Sequence, residues 1–198
     1  MKHILLILSF LLLFTTSGQA AITDNLPVDK FPTTYDVYYS KYTKRNFGPV
    51  FDYRWFKAQT MAESAFKPTV KSPVGAKGLM QIMDPTMKEI VQRSGYIANS
   101  VYTPKWNIAA GIYYDNCLYR GWGSKRPELD RLALMFASYN AGLGNPLKAQ
   151  KLCLASETGD CNLWANIRGH ASEVRTWRYE ETLGYVTRIF KFMGKKDY

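Results

Sequence analysis

Histidine and cysteine are scarce in this chain, with two of the first and three of the second among 198 residues. His3 falls in the N-terminal apolar segment and His170 stands alone, and the cysteines lack metal-ligand spacing. No metal site is therefore expected. The apolar run at residues 4–14, broken only by Ser9, is shorter than the ~20 residues a membrane span needs. Acids are outnumbered, 16 against 26 bases, and the net charge of +10 is spread along the chain rather than gathered in a tail. No internal repeat or low-complexity tract is evident, and strand-like alternation is rare.

What is present at the start reads as a secretory signal. Lys2 and His3 precede the apolar run, and Gly18 and Ala20 occupy the −3 and −1 places of a cleavage site, which predicts a signal peptide over residues 1–20. The expected location is periplasmic or secreted, with no stable membrane span after cleavage. Outside the cytoplasm nucleic acid is not the expected partner of a basic protein. An anionic extracytoplasmic polymer fits better. An oxidising compartment lets Cys153 and Cys161, which bracket the turn-like residues 155–160, pair as a loop staple. Cys117 lies in a helical pattern and is expected to be a buried, small apolar side chain.

The remaining pattern is mainly helical. Residues 21–47 form an entry segment broken by Pro27 and Pro32, with a short helix in the Tyr-rich stretch 35–42; residues 48–198 form one domain. From Pro49, the residues Phe51, Trp55, Ala58 and Ala62 recur at i, i+4, i+7 and i+11, which predicts a helix stopped by Pro68. Residues 69–83 carry Pro73, Gly75 and Gly78 and read as a loop, with at most a small β-hairpin over 71–82. Asp84 as N-cap and Pro85 in the first turn open the next helix. Further helices start at Asn107, with Ile108, Gly111, Ile112 and Leu118 on one side, and near Pro127, running to Gly142. A short one starts at Asn145-Pro146, and a last one spans 180–193 with Leu183, Val186, Ile189 and Phe190 inward.

The chemistry points to Glu63. It sits in the otherwise uncharged run 58–66, near the end of an aromatic-rich helix and before a glycine-containing loop. Apolar surroundings disfavour the charged carboxylate, so such a group keeps a proton that it can give to a leaving oxygen. No second acid stands in the same motif; Asp84 is the nearest downstream.

Four segments, Glu63-Ser64, residues 75–83 with Gly78-Leu79-Met80-Gln81, Ser138-Tyr139-Asn140-Ala141-Gly142, and 181–186 with Glu181 and Tyr185, occur in an order and spacing that resembles the soluble lytic transglycosylase family. The resemblance covers roughly residues 47–192. It implies a lysozyme-like helical domain of the goose type. The implied activity is cleavage of the β-1,4 bond between N-acetylmuramic acid and N-acetylglucosamine in peptidoglycan strands, without water and without a cofactor. Glu63 matches the single catalytic acid, which protonates the glycosidic oxygen and then acts as base on the muramic 6-hydroxyl to give a 1,6-anhydro product.

The resemblance also assigns a substrate-binding set. Gln81 matches a Gln that contacts an acetamido or hydroxyl group, and Met83 a residue lining the saccharide cleft. Ser64 either orients the carboxyl or a nearby backbone group, or makes a local hydrogen bond at the helix end. Asn140 holds an acetamido group or is a polar helix-end residue. Tyr139 packs beside the acid or belongs to the core. Tyr185 positions Glu63, and Glu181 binds a cleft hydroxyl or is an ordinary surface acid. The family usually has Ala where Ser138 stands and Pro shortly before Glu181. A hydrolytic lysozyme-type muramidase and a non-catalytic glycan-binding module are the competing readings. The short build also suits service to a secretion or appendage machine.

Overall fold

The computed structural model describes residues 26–123, 125–157, 159–195 and Tyr198. The expected signal peptide, residues 1–20, lies outside the described residues. These carry eight helices and no strand, as the mainly α reading expects. The helices are α1 (Asp36–Phe47), α2 (Arg54–Ser64), α3 (Asp84–Ser94), α4 (Pro104–Gly121), α5 (Glu128–Ala141), α6 (Gly144–Ser156), α7 (Trp164–Gly169) and α8 (Tyr179–Phe192). The residues fall into two compact units whose boundaries lie inside α4 and α8. One unit runs up to Asn116 and resumes at Thr187; the other is Cys117–Val186 with Tyr198.

In the first unit the apolar stripe of α2 is buried through Trp55, Phe56, Ala58 and Ala62. The Trp55 ring lies 5.0 Å from that of Phe190, and Phe31 meets Phe192 edge-on at 5.1 Å, arrangements that suit the ring quadrupoles. Buried Tyr39 on α1 donates its hydroxyl to Thr60 Oγ1 at 2.8 Å. Lys57, also buried, reaches Asp36 at 2.9 Å. Asp36 stands in the first turn of α1, where a carboxylate also suits the helix dipole.

The start and end of α2 differ from the sequence reading. The helix begins at Arg54 rather than Pro49 because Asp52 accepts the backbone N–H of Arg54 at 2.9 Å and holds its guanidinium as well. It ends at Ser64, before Pro68, because Ala65 and Phe66 turn into left-handed backbone at φ +48° and +61°. In α3 the N-cap position belongs to Met83, and the carboxylate of Asp84 pairs with Lys77 instead of capping. Between α2 and α3 the chain makes two isolated antiparallel bridges, Lys71 with Lys77 and Lys77 with Ile82, so the small hairpin is reduced to its minimum.

In the second unit α5 keeps the boundaries that Pro127 and Gly142 predict. Its buried residues include Leu132, Phe136 and Tyr139. The helix expected to start at Asn145-Pro146 begins one residue earlier, at Gly144, and is longer than expected, with 13 residues. Cys153, in its last turn, is joined by a disulfide to Cys161, with Cα atoms 5.9 Å apart. Asp130 Oδ1 accepts the first N–H of α7, from Trp164, at 2.7 Å. On α8, Tyr185 and Val186 are buried and Leu183 only in part. Cys117 is exposed, contrary to expectation. It stands two residues, about 200° around the α4 axis, from the buried Asp115.

Candidate active site

Glu63 is the penultimate residue of α2 and is only 8% exposed. The two left-handed residues that follow, Ala65 and Phe66, carry a backbone that non-glycine residues seldom adopt. Ser64 fastens this helix end to the next segment. Its hydroxyl donates to the carbonyl of Leu79 at 2.7 Å, with the Thr60 carbonyl of its own helix farther off at 3.3 Å. Ser64 thus makes both a local hydrogen bond at the helix end and a long-range tie to the Leu79 backbone.

The segment around Leu79 is a tight turn held from several sides. Lys77 and Ile82 exchange both backbone hydrogen bonds, at 3.0 and 2.9 Å. Gln81 has φ +46°, and its Nε2 donates to the carbonyls of Gly78 at 2.8 Å and Val70 at 3.3 Å. Its amide hydrogens are thus used within the turn, which leaves Oε1 as its polar atom for other contacts. Gly78 has φ +76°, and a Cβ there would lie 2.4 Å from the Val101 carbonyl oxygen, so no other residue fits. Met83 is half-buried and lies over Gly75, whose added Cβ would meet Met83 Cε at 3.9 Å.

Asn107, read in the sequence as a helix start, lies inside α4, which begins at Pro104, and organises this turn. Its Oδ1 accepts the N–H of Met80 at 2.7 Å, and its Nδ2 donates to the carbonyls of Lys77 at 3.0 Å and Val101 at 2.6 Å. One turn later, Gly111 makes room for Met80: a Cβ there would sit 2.4 Å from the Met80 sulfur. Met80 is fully buried and belongs to the core.

A second carboxyl stands near Glu63 after all. Asp115, on α4, is fully buried and accepts a hydrogen bond from Gln59 Nε2 at 3.3 Å. Burial pushes its pKa well above the ordinary carboxylate value; the Gln59 hydrogen bond opposes this, and the charge of Glu63 adds to it. A signal for Asp115 was available in the sequence. It occupies position i+7 of the apolar face begun by Ile108, Gly111 and Ile112, where an acid is out of place.

The second unit holds the other expected residues. Tyr139 and Asn140 are buried at the end of α5. Asn140 Oδ1 accepts the hydroxyl hydrogen of Thr182 at 2.8 Å, and Thr182 Oγ1 in turn accepts the indole N–H of Trp177 at 2.9 Å. Ser138, where the family usually has Ala, accepts the indole N–H of Trp122 at 2.9 Å. Glu181, in the first turn of α8, lies 3.7 Å from the guanidinium of Arg178, the residue just before that helix. Tyr185 is fully buried.

Comparison with known proteins shows the family and the fold. A family model described as the transglycosylase SLT domain matches residues 48–159. The soluble lytic murein transglycosylase of Escherichia coli K12 is 31% identical over 179 residues, covering 85% of this chain and 25% of its own length. The membrane-bound lytic murein transglycosylase F of Vibrio parahaemolyticus is 29% identical over 135 residues, covering 68% and 24%. The crystal structure of the 70 kDa soluble lytic transglycosylase of E. coli superposes with a TM-score of 0.58 at 29% identity, over 85% of this chain and 26% of that one. The chain thus spans about a quarter of the length of these relatives.

Proposed function

Because the chain belongs to the transglycosylase SLT domain family, we propose that it is a peptidoglycan lytic transglycosylase. It cleaves the β-1,4 bond between N-acetylmuramic acid and N-acetylglucosamine and leaves a 1,6-anhydromuramoyl end. In this reading Glu63 gives its proton to the glycosidic oxygen as positive charge builds at the muramic C1. The resulting carboxylate then takes the proton of the muramic 6-hydroxyl, whose oxygen closes on C1. The acid returns to its starting form, and no water enters.

The observation that carries the reading is the setting of Glu63. It is nearly buried, ends a helix, and is tied through Ser64 to a turn that Asn107 and Gln81 hold rigid. Fixed geometry of this kind is what general acid catalysis requires. The hydrolytic alternative needs a second carboxyl able to reach a water or the sugar. Asp115 is fully buried and bonded to Gln59, so it does not meet that need.

Gln81, Met83, Tyr139, Asn140, Glu181 and Tyr185 are proposed to contact or frame the glycan. A net charge of +10 suits an anionic wall polymer. No helix among the described residues is long and apolar enough to cross a membrane. Action in the periplasm or after secretion belongs to the same proposal and rests on the signal-like residues 1–20. The chemical ends left on digested peptidoglycan test the reading: anhydro ends support it, and reducing muramic ends support hydrolysis.

A further inference from the structure

Two buried oxygens of one interacting pair lack a hydrogen-bond partner: Oε1 of Gln59 and Oδ2 of Asp115. The other halves of the same two groups are joined, Gln59 Nε2 donating to Asp115 Oδ1 at 3.3 Å. A carboxylate offers only acceptors, and so does an amide oxygen. An ionised Asp115 therefore leaves both oxygens unsatisfied in a fully buried place, which is costly. One proton on Oδ2 removes both defects. Asp115 then donates to Gln59 Oε1 while Gln59 donates to Asp115 Oδ1, and the two groups close a reciprocal acid–amide ring.

We propose that Asp115 carries a proton throughout the working range of the enzyme and, paired with Gln59, is a positioning residue for Glu63. The proposal rests on the reading of Glu63 as the general acid. Gln59 lies four residues before Glu63 on α2, so the two side chains share a helix face. Anchoring Gln59 to α4 fixes the rotation of the last turn of α2 and with it the direction of the Glu63 carboxyl. Two groups face Asp115: Gln59 as its hydrogen-bond donor and Glu63 as the charge that acts on it. A neutral Asp115 places no negative charge beside Glu63 when Glu63 gives up its proton. An anion there would hold that proton in place, because like charges disfavour ionisation.

The test combines a spectroscopic and a kinetic arm. Difference infrared spectroscopy at neutral pH reads the carbonyl stretch of a protonated carboxyl. A band is expected in E63Q, where Glu63 no longer contributes a protonated carboxyl, and is expected to be lost in the double variant E63Q/D115N. Turnover is measured on soluble peptidoglycan fragments. D115N rebuilds the ring as an amide–amide pair and is expected to keep kcat and its pH profile. D115L removes the partner of Gln59 and is expected to lower kcat by about tenfold or more at similar KM. Absence of the infrared band from E63Q overturns the proposal. So does a D115N pH profile whose acidic limb has moved, or a D115L enzyme with wild-type kcat. Should D115L fail to fold, the band and the D115N profile still decide. The band is read without substrate, so a wild type that cleaves no glycan refutes the transglycosylase reading without obscuring the state of Asp115.

Discussion

Ser64 and Leu79 stand 15 residues apart in the chain, yet the hydroxyl of one donates to the carbonyl of the other at 2.7 Å in a buried setting. The bond joins the end of the Glu63 helix to the turn that follows it. S64A leaves the Leu79 carbonyl without this donor and is expected to cost about 1–3 kcal/mol of stability. Denaturant unfolding measures it. On glycan, the same variant is expected to lower kcat more than it changes KM, since the loss is one of orientation.

The Trp122 indole donates to Ser138 inside the second unit at 2.9 Å. S138A restores the residue usual in the family and is expected to destabilise this chain, by about 1–3 kcal/mol, because the indole N–H loses a buried acceptor. A W122F/S138A pair removes both partners and is expected to recover part of that loss. Equal destabilisation by S138A in the W122F background and in the wild type would contradict the account.

Asp115 gives stability a pH dependence of defined sign. Burial holds its folded-state pKa well above the ordinary carboxylate value, so the folded protein keeps this proton where the unfolded chain releases it. Its stabilising contribution is complete below about pH 3.8 and falls as pH rises toward the folded pKa, with a slope of about 1.4 kcal/mol per pH unit. D115N lacks the titration. The stability of the wild type minus that of D115N is therefore expected to decline with rising pH over this window. Chemical unfolding across the pH range measures it, and a flat difference would show that Asp115 is not held neutral.

E63Q keeps the shape of the side chain and removes the transferable proton. Turnover is expected to drop by roughly 10²–10⁴-fold while the circular dichroism spectrum and binding to purified peptidoglycan stay at wild-type levels. Near wild-type cleavage by E63Q would remove the residue from its assigned role.

Much of this arrangement was legible in local sequence, where the signal was local. Pro127 and Gly142 bracket α5 because a proline opens a helix and a glycine closes one with little strain. The stripe of Trp55, Ala58 and Ala62 identifies the buried face of α2 for the same kind of reason. Its start was misplaced because Pro49 marks an earlier turn, while the first helical N–H, that of Arg54, is taken by the Asp52 side chain. The partners that hold the site were harder to read. Asn107 reaches Met80 across 27 residues, and Gln59 meets Asp115 across 56, and no spacing rule links positions so far apart. Each nevertheless left a trace, since Gln59 and Asp115 both interrupt apolar helix faces at register positions where a polar side chain needs a buried partner.

The account turns on how the sugar bond is broken, and mass spectrometry of the fragments released from purified peptidoglycan reads that most directly. If Glu63 serves first as acid and then as base toward the muramic 6-hydroxyl, the released muramic ends are 1,6-anhydro sugars, lighter than their hydrolysed counterparts by one water. Release of reducing muramic ends instead, carrying oxygen from isotopically labelled water, would contradict it.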